Sequence, residues 1–159
     1  MTPGVRIRQA TLADLDALIA LEHASFTTDH LSRRQYHRHL HGASAVVLAA
    51  VDGTGLLGNA VVFFRRNTDI ARLYTIAIAH GARGRGLGEA LLAAAEDTAT
   101  GRGARCMRLE VRQDNHSAIR LYERRGYRRF GAHAGFYEDG ADAWRYEKEL
   151  RGEGLGTRG

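Results

Sequence analysis

The chain has almost no cysteine. Cys106 is the only one among 159 residues, which excludes an internal disulfide and a thiolate zinc cluster. Lysine is equally scarce: Lys148 stands alone, so the formal net charge of +5 rests on arginine. No apolar run approaches the roughly 20 residues that cross a bilayer. The N-terminal Met-Thr-Pro-Gly-Val-Arg carries no apolar segment of a secretory signal. Cytoplasmic residence is the expectation. A basic chain raises the question of nucleic acid, but the arginines are spread along the sequence with acidic residues between them. An enzyme that binds a phosphorylated cofactor accounts for the sign equally well.

What is present reads as alternating strands and helices. Val5 and Ile7 alternate with Arg6 and Arg8 as in a strand. Thr11 to Asp14 resembles a capping box ahead of a helix with Leu15, Leu18, Ile19 and Leu21 on one side. Ser32 is placed to cap a second helix ending near His41, with Gly42 as its stop. Residues 45–51 and 56–64 are apolar runs around Asp52-Gly53-Thr54-Gly55, a hairpin signal. Strands over 70–79 and 106–112, helices from about 86 to 100 and from Asn115 to Gly126, and a last hairpin over 127–150 complete the order. The prediction is an α/β (α+β) fold: a mixed sheet of seven strands with four helices on its two faces, one domain over 1–150 and a flexible tail over 151–159.

The densest signal is the stretch from Ile76 to Leu92. An apolar strand ends, a turn rich in glycine and arginine follows, and an alanine- and leucine-rich helix starts at once. That order points backbone N–H groups out of a helix N-terminus, a ready anion site. Gly84, Gly86 and Gly88 let a ligand approach the backbone. A dinucleotide fingerprint fails, because its third glycine falls on Glu89. A P-loop fails for want of Gly-Lys-Ser/Thr.

Arg83-x-x-Gly86-x-Gly88 after a strand resembles the pyrophosphate signature of the GNAT acetyltransferase superfamily. The run from Asn115-His116-Ser117-Ala118-Ile119 to Gly126-Tyr127 resembles its second motif, and the resemblance covers residues 5–150. It implies the GNAT fold, acetyl-CoA as co-substrate and no metal. It also implies that Gly84, Gly86, Gly88 and their neighbours Arg83, Arg85 and Leu87 cradle the pyrophosphate. Ile76, Ala77 and Ile78 would hydrogen-bond the pantetheine arm through their backbone, with an N–H there facing the oxyanion, and Asn115 would contact the cofactor. His80-Gly81 stands where many relatives carry Asp-Pro.

On the strand 107–112, Met107, Leu109 and Val111 share one face while Arg108, Glu110 and Arg112 share the other. A carboxylate in an inner strand is costly unless paired or functional. An ion pair with Arg108 or Arg112 is the plain structural alternative. Tyr122, three residues after Ile119, reads equally as a core aromatic. Leu109-Glu110-Val111-Arg112 followed by Asn115 and Leu121-Tyr122-Glu123 resembles the RimI-type branch, the ribosomal-protein alanine N-acetyltransferases. That resemblance implies Glu110 as general base and Tyr122 as general acid, with a protein or peptide N-terminal α-amine as acceptor. A small-molecule amine or a lysine is the alternative acceptor, and a non-catalytic acyl-CoA sensor the alternative of another class.

The remaining motifs carry less. Cys106 sits within a strand without a histidine partner and reads as inert packing. His37, His39 and His41 lie on a helix where only the first and last share a face, so a metal site is not expected. Arg124, Arg125, Arg128 and Arg129 form a basic cluster, one of which is a candidate for the cofactor's 3′-phosphate. Tyr137 and Glu138, in the last hairpin, are the candidates for holding the acceptor.

Overall fold

The computed structural model describes residues 4–150. The expected tail over 151–159 and the first three residues lie outside the described residues. Strand β1 (Arg6–Gln9) leads through a 3-10 turn (Leu12–Asp14) into helices α1 (Leu15–Ser25) and α2 (Arg33–His41). Strands β2 (Ala45–Asp52), β3 (Gly55–Phe63) and β4 (Ile70–Ile78) follow, then α3 (Leu87–Gly101), β5 (Cys106–Arg112) and α4 (His116–Arg124). Strands β6 (Arg128–His133) and β7 (Ala143–Glu149) close the order. The last hairpin is shorter than its apolar pattern predicted. Residues 134–142 form a turn instead, where the Asp142 carboxylate accepts the Gly135 N–H.

All seven strands form one sheet in the order β1-β2-β3-β4-β5-β7-β6, antiparallel except for β4 against β5. Alternation along β2 explains why helices cover both faces. Val46, Leu48 and Ala50 point to a core shared with Leu91, Leu92, Ala95 and Ala99 of α3. Val47, Ala49 and Val51 point to a second core with Leu15 and Leu18 of α1 and Tyr36 of α2. Ser32 caps α2 as expected, accepting from the Gln35 N–H at 3.1 Å. Thr11 caps a single 3-10 turn, and Arg8 grips Asp14 there with both ends of its guanidinium, at 2.7 and 3.0 Å.

Two departures from regular pairing create space in the middle of the sheet. The parallel pairing of β4 with β5 stops after Ile70↔Cys106, Ala71↔Met107 and Arg72↔Arg108. Beyond Arg72 the strands diverge, and the β4 edge over 73–78 has no β5 partner. On the other side of β4, the register with β3 jumps from Leu73↔Val62 to Thr75↔Val61, leaving Tyr74 as the extra residue of a bulge. Leu73 and Ile76 thus both face the α3 core while Tyr74 turns toward α1.

Candidate active site

A cleft of about 610 Å³ opens where β4 and β5 part. Its walls are Thr75 and Ile76 of β4, Glu110 and Val111 of β5, Asn115, Ala118 and Tyr122 around α4, Ser25 at the end of α1 with residues 26–29 after it, and Phe136 and Tyr137 of the last turn. Glu110, Tyr122, Asn115, Ile76 and Tyr137, all singled out from the sequence, thus converge on one space. The lining acids Glu22, Asp29, Glu110 and Asp114 face the lining cations Arg72 and Arg112. That balance favours a cationic amine over an anion.

Glu110 is paired, but not with the partners expected. Arg72 places Nε and Nη2 each 2.9 Å from its Oε1, and Arg145 places Nε 3.3 Å from its Oε2. Arg108 turns instead to Glu147 at 3.0 Å, and Arg112 to Asp139 at 2.6 Å. Residues two apart on one strand are further from each other than residues facing across strands. Arg145 lies directly opposite Glu110 in the β5–β7 register. The ends of these side chains belong to different strands, so no local pattern announces them.

Tyr122 is 7% exposed, and burial pushes its phenol pKa up. Its hydroxyl has no hydrogen-bond partner among the described residues and is not sealed from solvent, so it ends at the cleft. Its ring meets Tyr127 edge-on at 5.8 Å. Asn115 caps α4, its amide oxygen accepting the Ala118 N–H at 3.3 Å, which leaves the amide NH₂ for other use. The Tyr137 phenol is pushed up to about 12, chiefly by burial. Glu138 does not line the cleft. It accepts the Asp29 N–H at 3.0 Å while Asp29 accepts the Glu138 N–H, tying the loop after α1 to the last turn.

From the cleft, β4 runs on through Ala77 and Ile78 and a short turn (His80–Ala82) into the glycine turn. Gly84 and Gly86 have φ of +83° and +76°, the left-handed region that glycine enters without strain. Gly86 is the N-cap of α3, and no side chain caps that helix. Among the described residues, the N–H groups of residues 84–89 have no acceptor. A Cβ added at Gly84 or Gly86 would meet nothing within 4 Å, so the cradle is open, whereas one at Gly88 would lie 3.3 Å from Leu121 Cδ2. A row of unpartnered donors in open space at a helix N-terminus fits a pyrophosphate. Arg83 has no carboxylate within 4.0 Å among the described residues, while Arg85 lies 4.0 Å from Asp52.

The basic cluster also makes contacts of its own. Arg124 pairs with Glu89, Arg125 with Glu96 and Arg128 with Glu147, while Arg129 stacks on Trp144 at 3.8 Å. His37 and His41 stack on each other at 4.6 Å, and His39 packs on Phe63, where burial lowers its pKa. Burial raises the Cys106 thiol, the opposite of an activated nucleophile.

Residues 12–127 match the model of the acetyltransferase (GNAT) family. A Bacillus subtilis (strain 168) protein provisionally named a [ribosomal protein bS18]-alanine N-acetyltransferase is 33% identical over 144 residues, 90% of this chain and 94% of its own. The crystal structure of the Escherichia coli ribosomal-protein-S18-alanine N-acetyltransferase superposes with a TM-score of 0.81 at 26% identity, covering 94% of this chain and 97% of that one. Arabidopsis thaliana NAA60 in complex with acetyl-CoA shares the fold, with a TM-score of 0.80 at 22% identity over 93% and 99% of the chains. The chain belongs to the GNAT family and is an N-acetyltransferase that takes its acetyl group from acetyl-CoA.

Proposed function

We propose that the acceptor is the α-amine of a protein or peptide N-terminus and that transfer is direct, within a ternary complex in the cytoplasm. The observation that carries this reading is the convergence of Glu110 and Tyr122 on one anionic cleft beside the unpaired edge of β4. Acetyl-CoA supplies an activated thioester when bound. The N–H groups of residues 84–89 would hold its pyrophosphate, with Arg83 and Arg85 nearby. The backbone of Ile76, Ala77 and Ile78 would take the pantetheine arm as an added strand, and the Asn115 amide would reach it from α4.

The amine attacks in its neutral form, its ammonium proton having passed to solvent. Its nitrogen pair bonds to the acyl carbon as the carbonyl pair moves onto oxygen, and Glu110 removes the proton that the nitrogen then sheds, directly or across one water. The carbonyl re-forms as the carbon–sulfur bond breaks with its pair on sulfur. Tyr122, kept protonated by its raised pKa, donates its O–H to that sulfur. An alkyl thiol has a pKa of about 8.5, so this donation stabilises the thiolate and does not require complete transfer. A backbone N–H at the open β4 edge faces the carbonyl oxygen. Holding both reactants in one cleft supplies the rest.

The acceptor class follows from proton chemistry. An α-amine with a pKa near 8 is about a tenth neutral at pH 7, whereas a lysine near 10.4 is neutral in fewer than about one molecule in a thousand. A carboxylate base suits the former. The names of the B. subtilis and E. coli relatives point the same way. The test is thiol release from acetyl-CoA with three probes: an alanine-initiated peptide, the same peptide α-acetylated but carrying an internal lysine, and spermidine. Turnover with the free α-amine alone is expected. Turnover with the blocked peptide or spermidine, and none with the first probe, overturns the acceptor assignment.

A further inference from the structure

We infer that Arg72 and Arg145 are positioning residues that fix the Glu110 carboxylate for proton transfer, leaving Oε2 as the oxygen that accepts the proton. The inference rests on the reading of Glu110 as the base. Glu110 is nearly buried, its side chain 9% exposed. Oε1 has two nitrogens of Arg72 at 2.9 Å, while Oε2 has only Arg145 Nε at 3.3 Å. Each oxygen accepts one hydrogen bond, Oε1 from Arg72 Nε and Oε2 from Arg145 Nε, and the second Arg72 nitrogen crowds Oε1, so the less tightly held oxygen is Oε2.

Both arginines are placed by the sheet itself. Arg72 is the last β4 residue that pairs with β5 before the strands part, and Arg145 is the register partner of Glu110 on β7. Both guanidiniums are partly exposed and lie beside aromatic rings. Arg72 lies 5.8 Å from the Tyr74 ring and 5.9 Å from that of Phe136, and Arg145 lies 4.8 Å from that of Phe130. The flanking cations do not substitute, since Arg108 and Arg112 are engaged by Glu147 and Asp139. The guanidinium sets two nitrogens on Oε1 at once, whereas an ammonium would keep the charge without that geometry.

The test is a double-mutant cycle read with the alanine-initiated peptide and acetyl-CoA. Arg72→Gln is expected to lower kcat by about tenfold, to move the peptide KM by less than about threefold and to leave the acetyl-CoA Kd unchanged. In the Glu110→Gln background the same substitution should cost less than about twofold, because the group it positions is gone. Arg72→Lys should recover part of the loss. Should Arg72→Gln fail to fold, Arg145→Gln carries the same cycle. Equal losses in both backgrounds, or wild-type kcat in Arg72→Gln, overturn the positioning role while leaving Glu110 as base. Wild-type turnover in Glu110→Gln alone overturns both.

Discussion

The two ends of the site are built from different materials. The glycine turn at residues 84–89 offers chiefly backbone N–H groups, its glycines alternating with Arg85, Leu87 and Glu89. The cleft offers side chains drawn from β4, β5, α1, α4 and the last turn, oriented by one another or by residues just outside it: Glu110 by Arg72 and Arg145, Asp29 by Glu138. A backbone donor is carried at every residue, so a turn needs only the right φ values to aim several at once. A side-chain site needs partners that lie far apart in sequence. The first arrangement suits the invariant part of a co-substrate; the second suits chemistry and selection of an acceptor.

The contrast can be broken most forcefully at the turn. Gly86→Glu puts a side chain at φ +76° and a carboxylate among donors meant for an anion, and should weaken acetyl-CoA binding by at least about a hundredfold. Calorimetry showing unchanged affinity would place the cofactor elsewhere. In the cleft, Glu110→Gln and Tyr122→Phe should each lower turnover by about tenfold or more with acetyl-CoA affinity nearly intact. Equal damage to Kd and kcat would mean that the two ends are not separable. Asp29→Asn weakens the tie to Glu138 and should raise the peptide KM by about threefold, leaving acetyl-CoA Kd unchanged. The smallest effect belongs to Gly88→Ala. The new methyl meets the mobile end of Leu121 at 3.3 Å, a cost offset by a helix gain of up to about 1 kcal/mol, so the melting temperature should move by only a few degrees. A large loss of stability there would show that α3 and α4 cannot give way.

The elements that sequence patterning identified are those whose determinants are local. Ser32 with Gln35, the alternation of β2, and Asn115 as the first cap of α4 all act within four residues. The turn of Gly84 and Gly86 is legible for the same reason. The Glu110 partners were not: the nearest arginines in sequence, Arg108 and Arg112, belong to Glu147 and Asp139. The true partners lie 38 and 35 residues away. Arg72 carries a weak signal, a charged residue within an apolar strand, but nothing in the sequence says which acid it meets. Glu138, expected to help hold the acceptor, does not line the cleft, and its contact is with the backbone 109 residues earlier. The acids that the basic cluster meets, Glu89, Glu96 and Glu147, lie on other elements, so no local pattern announced them.

Sequence alone determined the order of strands and helices, the glycine turn with its outward N–H groups, and the residue types Glu110 and Tyr122. Each of these depends on period, capping or φ preference over a few neighbouring residues. Tertiary structure decided where β4 leaves β5, where the Tyr74 bulge shifts the alternation, and which guanidiniums reach Glu110. Those depend on strand register and sheet twist, which bring together residues that no short window of sequence contains.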